Sequence, residues 1–288
     1  MRLRCSISPD ADDLFMFRAI LEGLIDTEGL EFDTGTHDTH SLNLAARDEV
    51  GALDITAMSI AAYPSLADEW QLLPHSGSVG RDYGPVLIAR EAIDPESLNE
   101  LCIGTPGPST TAHTILRLHS PDFRSVTVPI TPPDEVFERL ASGEIEAALL
   151  IHEGRLVYPA RGFQLVLDIG EWWFAHTGGL PLPLGGMVIR RSLGSESIAR
   201  ANRVIHRSIA HALEHRREAI EWLLERGTGP LDSYEAVDAY LQLYANADSL
   251  DYGEDGRRAI HKLLRESARA GILPACSPPD ILPQPSSR

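Results

Sequence analysis

His152 closes the apolar run Ala147 to Ile151 and is followed at once by Glu153, Gly154 and Arg155. Imidazole titrates near neutrality, so a histidine at the end of a buried strand is suited to taking a proton at physiological pH. A histidine hydrogen-bonded there for structural reasons would leave the same local pattern. A second group is Gly104-Thr105-Pro106-Gly107-Pro108-Ser109-Thr110-Thr111-Ala112-His113, a Gly/Pro loop leading into the apolar helix around Ile115 to Leu118. Amides at a helix start, reinforced by the hydroxyls of Ser109, Thr110 and Thr111, make an anion site. Neither GxGxxG nor GxxxxGK is present, so the site suits a carboxylate better than a nucleotide. A plain N-cap accounts for one hydroxyl more readily than for three in a row.

Other groups have a simpler reading. Pro9-Asp10-Ala11-Asp12-Asp13 opens a helix, where carboxylates meet the positive end of the helix dipole. His37-Asp38-Thr39-His40 and the set His206, His211, His215 have the residue types of a metal site. The latter lie among Arg and Glu on what reads as a solvated helix, and no metal is expected. Trp172 and Trp173, followed by Phe174, either line a pocket or pack a core. Leu180-Pro181-Leu182-Pro183-Leu184-Gly185-Gly186 is stiff and then flexible, and reads as a cleft wall and hinge.

Positioning such residues needs a scaffold, and the chain alternates short apolar runs with amphipathic segments. Strands are expected at Leu3 to Ser8, Leu30 to Thr34 and Asp54 to Ser59, with helices at about Asp13 to Ile25 and Ser41 to Arg47. Gly84 to Arg90 reads as a strand leaving a first lobe. A second βαβ series starts at Leu101-Cys102-Ile103-Gly104, and Gly186 to Arg191 reads as a strand returning to the first lobe. From Ser195 to about Ala270 the periodicity is helical, and the Pro/Ser-rich stretch after Pro274 is expected to be a poorly ordered tail. This alternation argues for α/β lobes with parallel sheets covered by helices. The expected division is 1–90 plus 186–288 as a discontinuous large lobe and 91–185 as a small lobe.

Two segments match each other. Gly51 is followed by an acid, Asp54, and a strand ending at Ser59; Gly143 is followed by an acid, Glu146, and a strand leading to His152. Each unit reads as helix, C-terminal glycine, acid, buried strand, with a polar residue at the carboxyl end, where open α/β sheets bind ligands.

Composition narrows the function classes. With 288 residues, 43% hydrophobic, the chain buries enough surface for two lobes. A net charge of −17 opposes binding to nucleic acid. Lys262 is the sole lysine, which argues against Schiff-base and P-loop chemistry. The three cysteines, Cys5, Cys102 and Cys276, form no CxxC pair and suggest a reduced compartment. The apolar stretch after Arg2 and Arg4 is ended by Pro9 and Asp10, too soon for a secretory signal, and no run reaches membrane-spanning length. A cytoplasmic protein without membrane insertion, binding a small-molecule carboxylate, is expected; the oligomeric state is left open.

Several stretches together resemble the 1,4-dihydroxy-6-naphthoate synthases of the futalosine route to menaquinone. They are Ser8-Pro9 with Asp13, Ser59-Ile60-Ala61-Ala62-Tyr63, Gly80-Arg81 with Gly84-Pro85, Thr110-Thr111-Ala112, and Ile151-His152-Glu153 with Arg155 and Tyr158. Trp172-Trp173, Leu180 to Gly186 and Asn246 to Leu250 complete the set, which runs in family order across nearly the whole chain. The resemblance implies a periplasmic-binding-protein-like type II fold, two α/β lobes with a central cleft and hinge. It further implies a carbon–carbon lyase, without metal or cofactor, that cleaves cyclic dehypoxanthinyl futalosine to 1,4-dihydroxy-6-naphthoate and a three-carbon dihydroxyacetone fragment. His152 would be the proton acceptor, and Met58, Ser59, Thr110, Thr111, Asp13, Arg155 and Gly185 would bind substrate. The chain departs from the family at two places. The first loop, Ser-Pro-Cys-Pro-Asn-Asp-Thr in the family, is Ser8-Pro9-Asp10-Ala11-Asp12-Asp13-Leu14 here, and a lysine two residues before the binding serine is Ala57. Acids in place of a cation and neutral donors weaken recognition of a carboxylate, so a non-catalytic binding paralogue is the competing expectation. A related chorismate dehydratase shares the architecture but fits the Ile-His-Glu element less well.

Overall fold

Runs that are apolar on both faces become central strands, and amphipathic runs become the helices that cover them. The computed structural model describes residues 1–48, 51–129, 133–227 and 229–285. In chain order the first elements are β1 (Arg2–Ile7), α1 (Ala11–Leu21), β2 (Glu31–Thr36), α2 (Thr39–Asp48), β3 (Ile55–Ser59), β4 (Trp70–Leu72) and β5 (Ser78–Gly80). Next come β6 (Val86–Ala89), β7 (Cys102–Thr105), α3 (Thr111–His119), β8 (Arg124–Thr127), α4 (Asp134–Ser142), β9 (Ala147–Leu150), α5 (Gly154–Val157), β10 (Gln164–Asp168) and α6 (Ile169–Thr177). The chain closes with β11 (Leu182–Arg190), α7 (Ser195–Glu214), α8 (Arg216–Arg226), α9 (Tyr234–Tyr244), α10 (Ala247–Leu250) and α11 (Gly253–Arg269).

Two sheets result. The first has the order β2-β1-β3-β11-β4, with β5 also paired to β11. The second has the order β10-β6-β9-β7-β8. In each, a βαβα unit supplies a parallel trio: β1 pairs with β2 and β3, and β7 pairs with β8 and β9. Phe15 and Phe17 on α1, Ile205 and Ile209 on α7 and Tyr240 on α9 are buried together against the first sheet. Val136, Phe137 and Leu140 on α4 cover the second, against Val86, Ile88 and Ala148. No described helix is long and apolar enough to cross a membrane.

The matching segments seen in the sequence occupy equivalent places. Gly51 and Gly143 both take left-handed backbone, with φ of 82° and 79°, which a glycine adopts without steric cost. The acids that follow both bond the first strand of their own parallel trio: Asp54 Oδ2 accepts from the Arg4 amide at 2.9 Å, and Glu146 Oε2 accepts from the Cys102 amide at 2.8 Å. A strand amide that lies before the start of the neighbouring strand has no ladder partner, and a carboxylate placed just ahead of that strand supplies the acceptor.

Three elements differ from the sequence expectation. Val86–Ala89, expected to end the first lobe, is hydrogen-bonded between β9 and β10 in the second sheet. All four of its residues are buried, as befits an interior strand. The returning strand starts at Leu182 rather than Gly186, because Leu182 already pairs with Gly80 and Gly185 with Ser59. The Pro/Ser-rich tail, expected to be poorly ordered, is pinned as far as it is described. Leu282 donates its amide to Leu72 O at 2.9 Å, and Asp280 pairs with Arg191 at 2.6 Å and accepts from Gln71 at 2.8 Å.

The segments joining the sheets are held close together. A Cβ on Gly170 would lie 2.0 Å from the Tyr83 carbonyl carbon, so only glycine permits the start of α6 to lie against residues 83–84. Ile169 donates its amide to Pro85 O at 3.0 Å across the same contact.

Candidate active site

The carboxyl ends of the parallel strands from both sheets face one cavity of about 730 Å³ of empty space, its mouth included. That size suits a small organic ligand. From the first sheet it receives Asp13 on α1, Met58 and Ser59 at the end of β3, and Gly185 on β11. From the second it receives Thr110 and Thr111 at the start of α3, and Ile151 and His152 beyond β9. Seven of the eight residues singled out from the sequence therefore line one space. Arg155 does not: its Nη1 bonds Asp168 Oδ2 and the Gly84 carbonyl, each at 2.5 Å. The chain turns into α5 immediately after His152, and this turn carries Arg155 away from the cavity.

His152 owes its position to an unusual backbone. Its φ is 52°, in the left-handed region that a non-glycine side chain enters at a cost of about 1–3 kcal/mol and that clusters at functional sites. The turn places the ring against the first loop, where Nδ1 lies 3.2 Å from Asp10 Oδ2. Nε2 lies 3.4 Å from Thr39 Oγ1. The ring is 19% exposed and Asp10 only 3%. With Asp10 accepting from Nδ1–H, the neutral ring presents the lone pair of Nε2 on the other side.

The surroundings are strongly acidic. Asp10, Asp12, Asp13 and Glu153 are all buried. Burial pushes the Asp13 carboxyl up to about 8, the charge of Asp12 adds to this, and the bond from the Ser8 amide at 2.7 Å partly opposes it. Burial, followed by Asp10, raises Glu153 to about 7. Burial also raises Asp10, against the attraction of His152. For His152 itself burial disfavours the imidazolium, but Asp10, Glu153, Asp12 and Asp13 outweigh it and leave the pKa raised. Asp12 is held by Tyr240, whose hydroxyl donates at 3.0 Å, and by Ser78, whose hydroxyl donates at 2.7 Å.

The hydroxyls of the Ser-Thr-Thr run do three separate jobs. Thr110 is the N-cap of α3, accepting from the His113 amide at 3.3 Å and donating to Gly107 O at 2.7 Å. Thr111 joins the sheets, donating to Leu184 O at 2.6 Å and accepting from the Ala61 amide at 3.1 Å. Ser109 Oγ lies 2.8 Å from His40 Nδ1. The first turn of a helix leaves its amides without intrahelical acceptors, and its first two residues, Thr111 and Ala112, both line the cavity. No Lys or Arg is among the described residues lining it.

Asn43 went unnoticed in the sequence. It lies buried on α2 and donates from Nδ2 to Ser59 Oγ at 3.0 Å and to Ser109 O at 3.2 Å, while its Oδ1 accepts from the Ser59 amide at 2.9 Å. One amide side chain thus ties the end of β3 to the loop before α3. Only a polar residue on the buried face of an amphipathic helix signals it in sequence.

Other candidates lie elsewhere. Trp173 is fully buried and donates from Nε1 to Pro181 O at 2.9 Å, and Trp172 stacks on His176 at 4.8 Å. His211 stacks on His215 at 4.3 Å, and His206 lies beside His75 at 5.6 Å.

A sequence profile of the family described as menaquinone biosynthesis matches residues 3–269. The chain belongs to the menaquinone-biosynthesis family. It is 37% identical over 270 residues to a 1,4-dihydroxy-6-naphtoate synthase of Thermus thermophilus, spanning 94% of this chain and 95% of that one. A crystal structure of an Archaeoglobus fulgidus protein superposes with a TM-score of 0.86 at 35% identity, covering 94% and 98% of the two chains. A Candida albicans protein described as having the generic periplasmic binding protein fold superposes at 0.72 with 14% identity, covering 98% and 96%. The last likeness concerns architecture alone, which is periplasmic-binding-protein-like. This menaquinone-biosynthesis enzyme accordingly has its cavity where the solute-binding architecture has its cleft, between the strand ends of two α/β sheets.

Proposed function

We propose that the chain is a 1,4-dihydroxy-6-naphthoate synthase, a carbon–carbon lyase that cleaves cyclic dehypoxanthinyl futalosine to 1,4-dihydroxy-6-naphthoate and a dihydroxyacetone fragment. The observation that carries this reading is His152 in the wall of the cavity between the sheets, with the buried Asp10 carboxylate 3.2 Å behind its Nδ1. His152 accepts, through Nε2, the proton whose removal starts the cleavage. Asp10 holds Nδ1–H, fixes the tautomer and stabilises the imidazolium that forms. The substrate carboxylate lies at the start of α3, where helix amides compensate for the missing cation. Ser59 and Thr111 hold the ring system, Met58 and Gly185 form its apolar bed, and Asp13, carrying a proton at neutral pH, adds no charge against the carboxylate. The free cysteines suit a cytoplasmic enzyme.

Incubating the purified protein with the cyclic substrate and following naphthoate release tests the assignment. Turnover is expected in the intact protein, and His152→Gln should lower kcat by about 10²- to 10⁴-fold, the usual share of a general base. Saturable binding without conversion would instead identify a non-catalytic paralogue, a role that the replacement of the first loop by acids favours.

A further inference from the structure

The polar groups around the cavity differ in what they have left to offer a ligand. At one end Ser59 has a proton to give. Asn43 Oδ1 accepts from the Ser59 amide at 2.9 Å, so Nδ2 is the group that donates to Ser59 Oγ at 3.0 Å, and no described residue accepts the hydroxyl proton. The amides that open α3 add further donors there.

The opposite end has its protons committed. Ser76 Oγ lies 2.9 Å from Nδ1 of His75, a fully buried ring whose Nε2 lies 3.0 Å from the Asn202 carbonyl. A carbonyl only accepts, so Nε2 carries the hydrogen. Burial holds the ring neutral, its pKa pushed down to about 3, so Nδ1 has no hydrogen and takes the Ser76 proton. Ser78 gives up its proton too, because Asp12 Oδ2 at 2.7 Å and the Tyr244 carbonyl at 3.5 Å are both acceptors. Asp12 accepts from Ser78 and from Tyr240 and has lone pairs to spare. All three line the cavity, and what they have left to offer is acceptors. Tyr244, which also lines it, has a phenol that serves either way. Ser76 holds its place in left-handed backbone, with φ of 62°, a strained conformation that among the described lining residues it shares with His152 alone.

We propose that Asp12, Ser76 and Ser78 form the end of the cavity that receives hydroxyl donors of the ligand, opposite the donor end at Ser59 and α3, and that His75 is the positioning residue that fixes the Ser76 hydroxyl as an acceptor. Gly185 pairs with Ser59 on one side and with Ser78 on the other, so the two ends stand two strand intervals apart, about 9–10 Å. That is the reach of a fused two-ring acid with its carboxylate at one end and its hydroxyls at the other. The proposal rests on the lyase reading for the identity of the ligand, and adds to it the groups that tell a hydroxylated ring from a plain aromatic acid.

Anaerobic calorimetry on the intact protein compares 1,4-dihydroxy-6-naphthoate with 2-naphthoate, which keeps the rings and the carboxylate but lacks both hydroxyls. The dihydroxy acid should bind at least about tenfold more tightly, because the plain acid leaves the acceptors without a donor. Ser76→Ala should narrow that gap by weakening the dihydroxy acid while leaving 2-naphthoate within about twofold. His75→Leu, which frees the Ser76 proton, should narrow it in the same way, and His75→Asn should restore it because its Oδ1 replaces Nδ1 as the acceptor. Equal affinity of the two acids for the intact protein, equal loss of both in Ser76→Ala, or an unchanged gap in folded Ser76→Ala or His75→Leu protein would overturn the proposal. Discrimination between the acids without cleavage of the cyclic substrate would remove the lyase reading and leave the hydroxyl-binding end in place.

Discussion

Asp10 Oδ2 lies 3.2 Å from His152 Nδ1, across the gap between the loop after β1 and the turn after β9. The pair joins the two sheets through the group expected to move a proton. The charge on this side of the imidazole comes from the loop that follows β1.

Neutralising that charge should alter the pH profile. His152 must be unprotonated to act as a base, so kcat/KM should rise with pH through a pKa raised above the ordinary imidazole value by the surrounding carboxylates. Asp10→Asn leaves Asp12, Asp13 and Glu153 in place but removes the partner of the imidazolium. The rising limb should therefore move to lower pH, and the plateau should fall by about tenfold or more as the base weakens and its ring loses orientation. An unchanged profile would show that Asp10 has only a structural role.

The carboxyl of Asp13 should make stability pH-dependent. Burial, then Asp12, raise it to about 8, so the folded protein retains a proton that the unfolded chain releases near pH 4. The resulting stabilisation is complete below about pH 4 and is lost as pH rises towards 8. Asp13→Asn removes this group's share of the dependence, leaving that of Glu153 and Asp10, and its melting temperature should exceed that of the parent by a margin that widens between pH 5 and pH 8.5. A constant margin would contradict the assigned direction.

Replacing Asn43 should affect both the fold and the site. Asn43→Ala leaves the Ser59 amide without its acceptor in a buried position, at a cost of about 1–3 kcal/mol. It also frees Ser59 Oγ and the Ser109 loop, so KM should rise more than kcat falls. Thermal denaturation and steady-state kinetics on the same preparation separate these effects.

Arg155 gives the opposite pattern. Arg155→Met strands the Asp168 carboxylate, whose side chain is 2% exposed, and breaking such a pair costs about 3–5 kcal/mol. Asp168 keeps the amides of Gly170 and Glu171, which places the loss toward the lower end. Because Arg155 lies outside the cavity lining, KM measured well below the melting temperature should stay within about twofold. A large rise in KM would return Arg155 to the substrate.

These cases show what sequence can and cannot disclose. His152 was legible because a buried strand must end somewhere, and a titratable residue at its carboxyl end in an α/β sheet faces a cleft. The pairing of the two halves was legible through Gly51 with Asp54 and Gly143 with Glu146, since both the left-handed cap and the strand-capping acid are local requirements. Asn43 was not legible, because its role depends on Ser109, 66 positions away, and nothing in α2 itself announces that contact. Arg155, which the resemblance set against the substrate, lies outside the cavity lining because it is held by Asp168 and the Gly84 carbonyl, contacts 13 and 71 positions away that the local sequence does not announce. Val86–Ala89 was placed on the wrong side of the crossing because an apolar run of four fits either sheet, and only its partners β9 and β10 decide between them.

The outermost strand of the first sheet, β4, would offer a row of open amide and carbonyl groups to any passing chain, yet the molecule spends its own last described residues there. Leu72 exchanges bonds with Asp280 and Leu282, and a parallel bridge joins it to Ile281. The C-terminal segment thereby covers an edge that would otherwise be open to pairing with another chain, and shortening it would leave an adhesive rim on the first sheet.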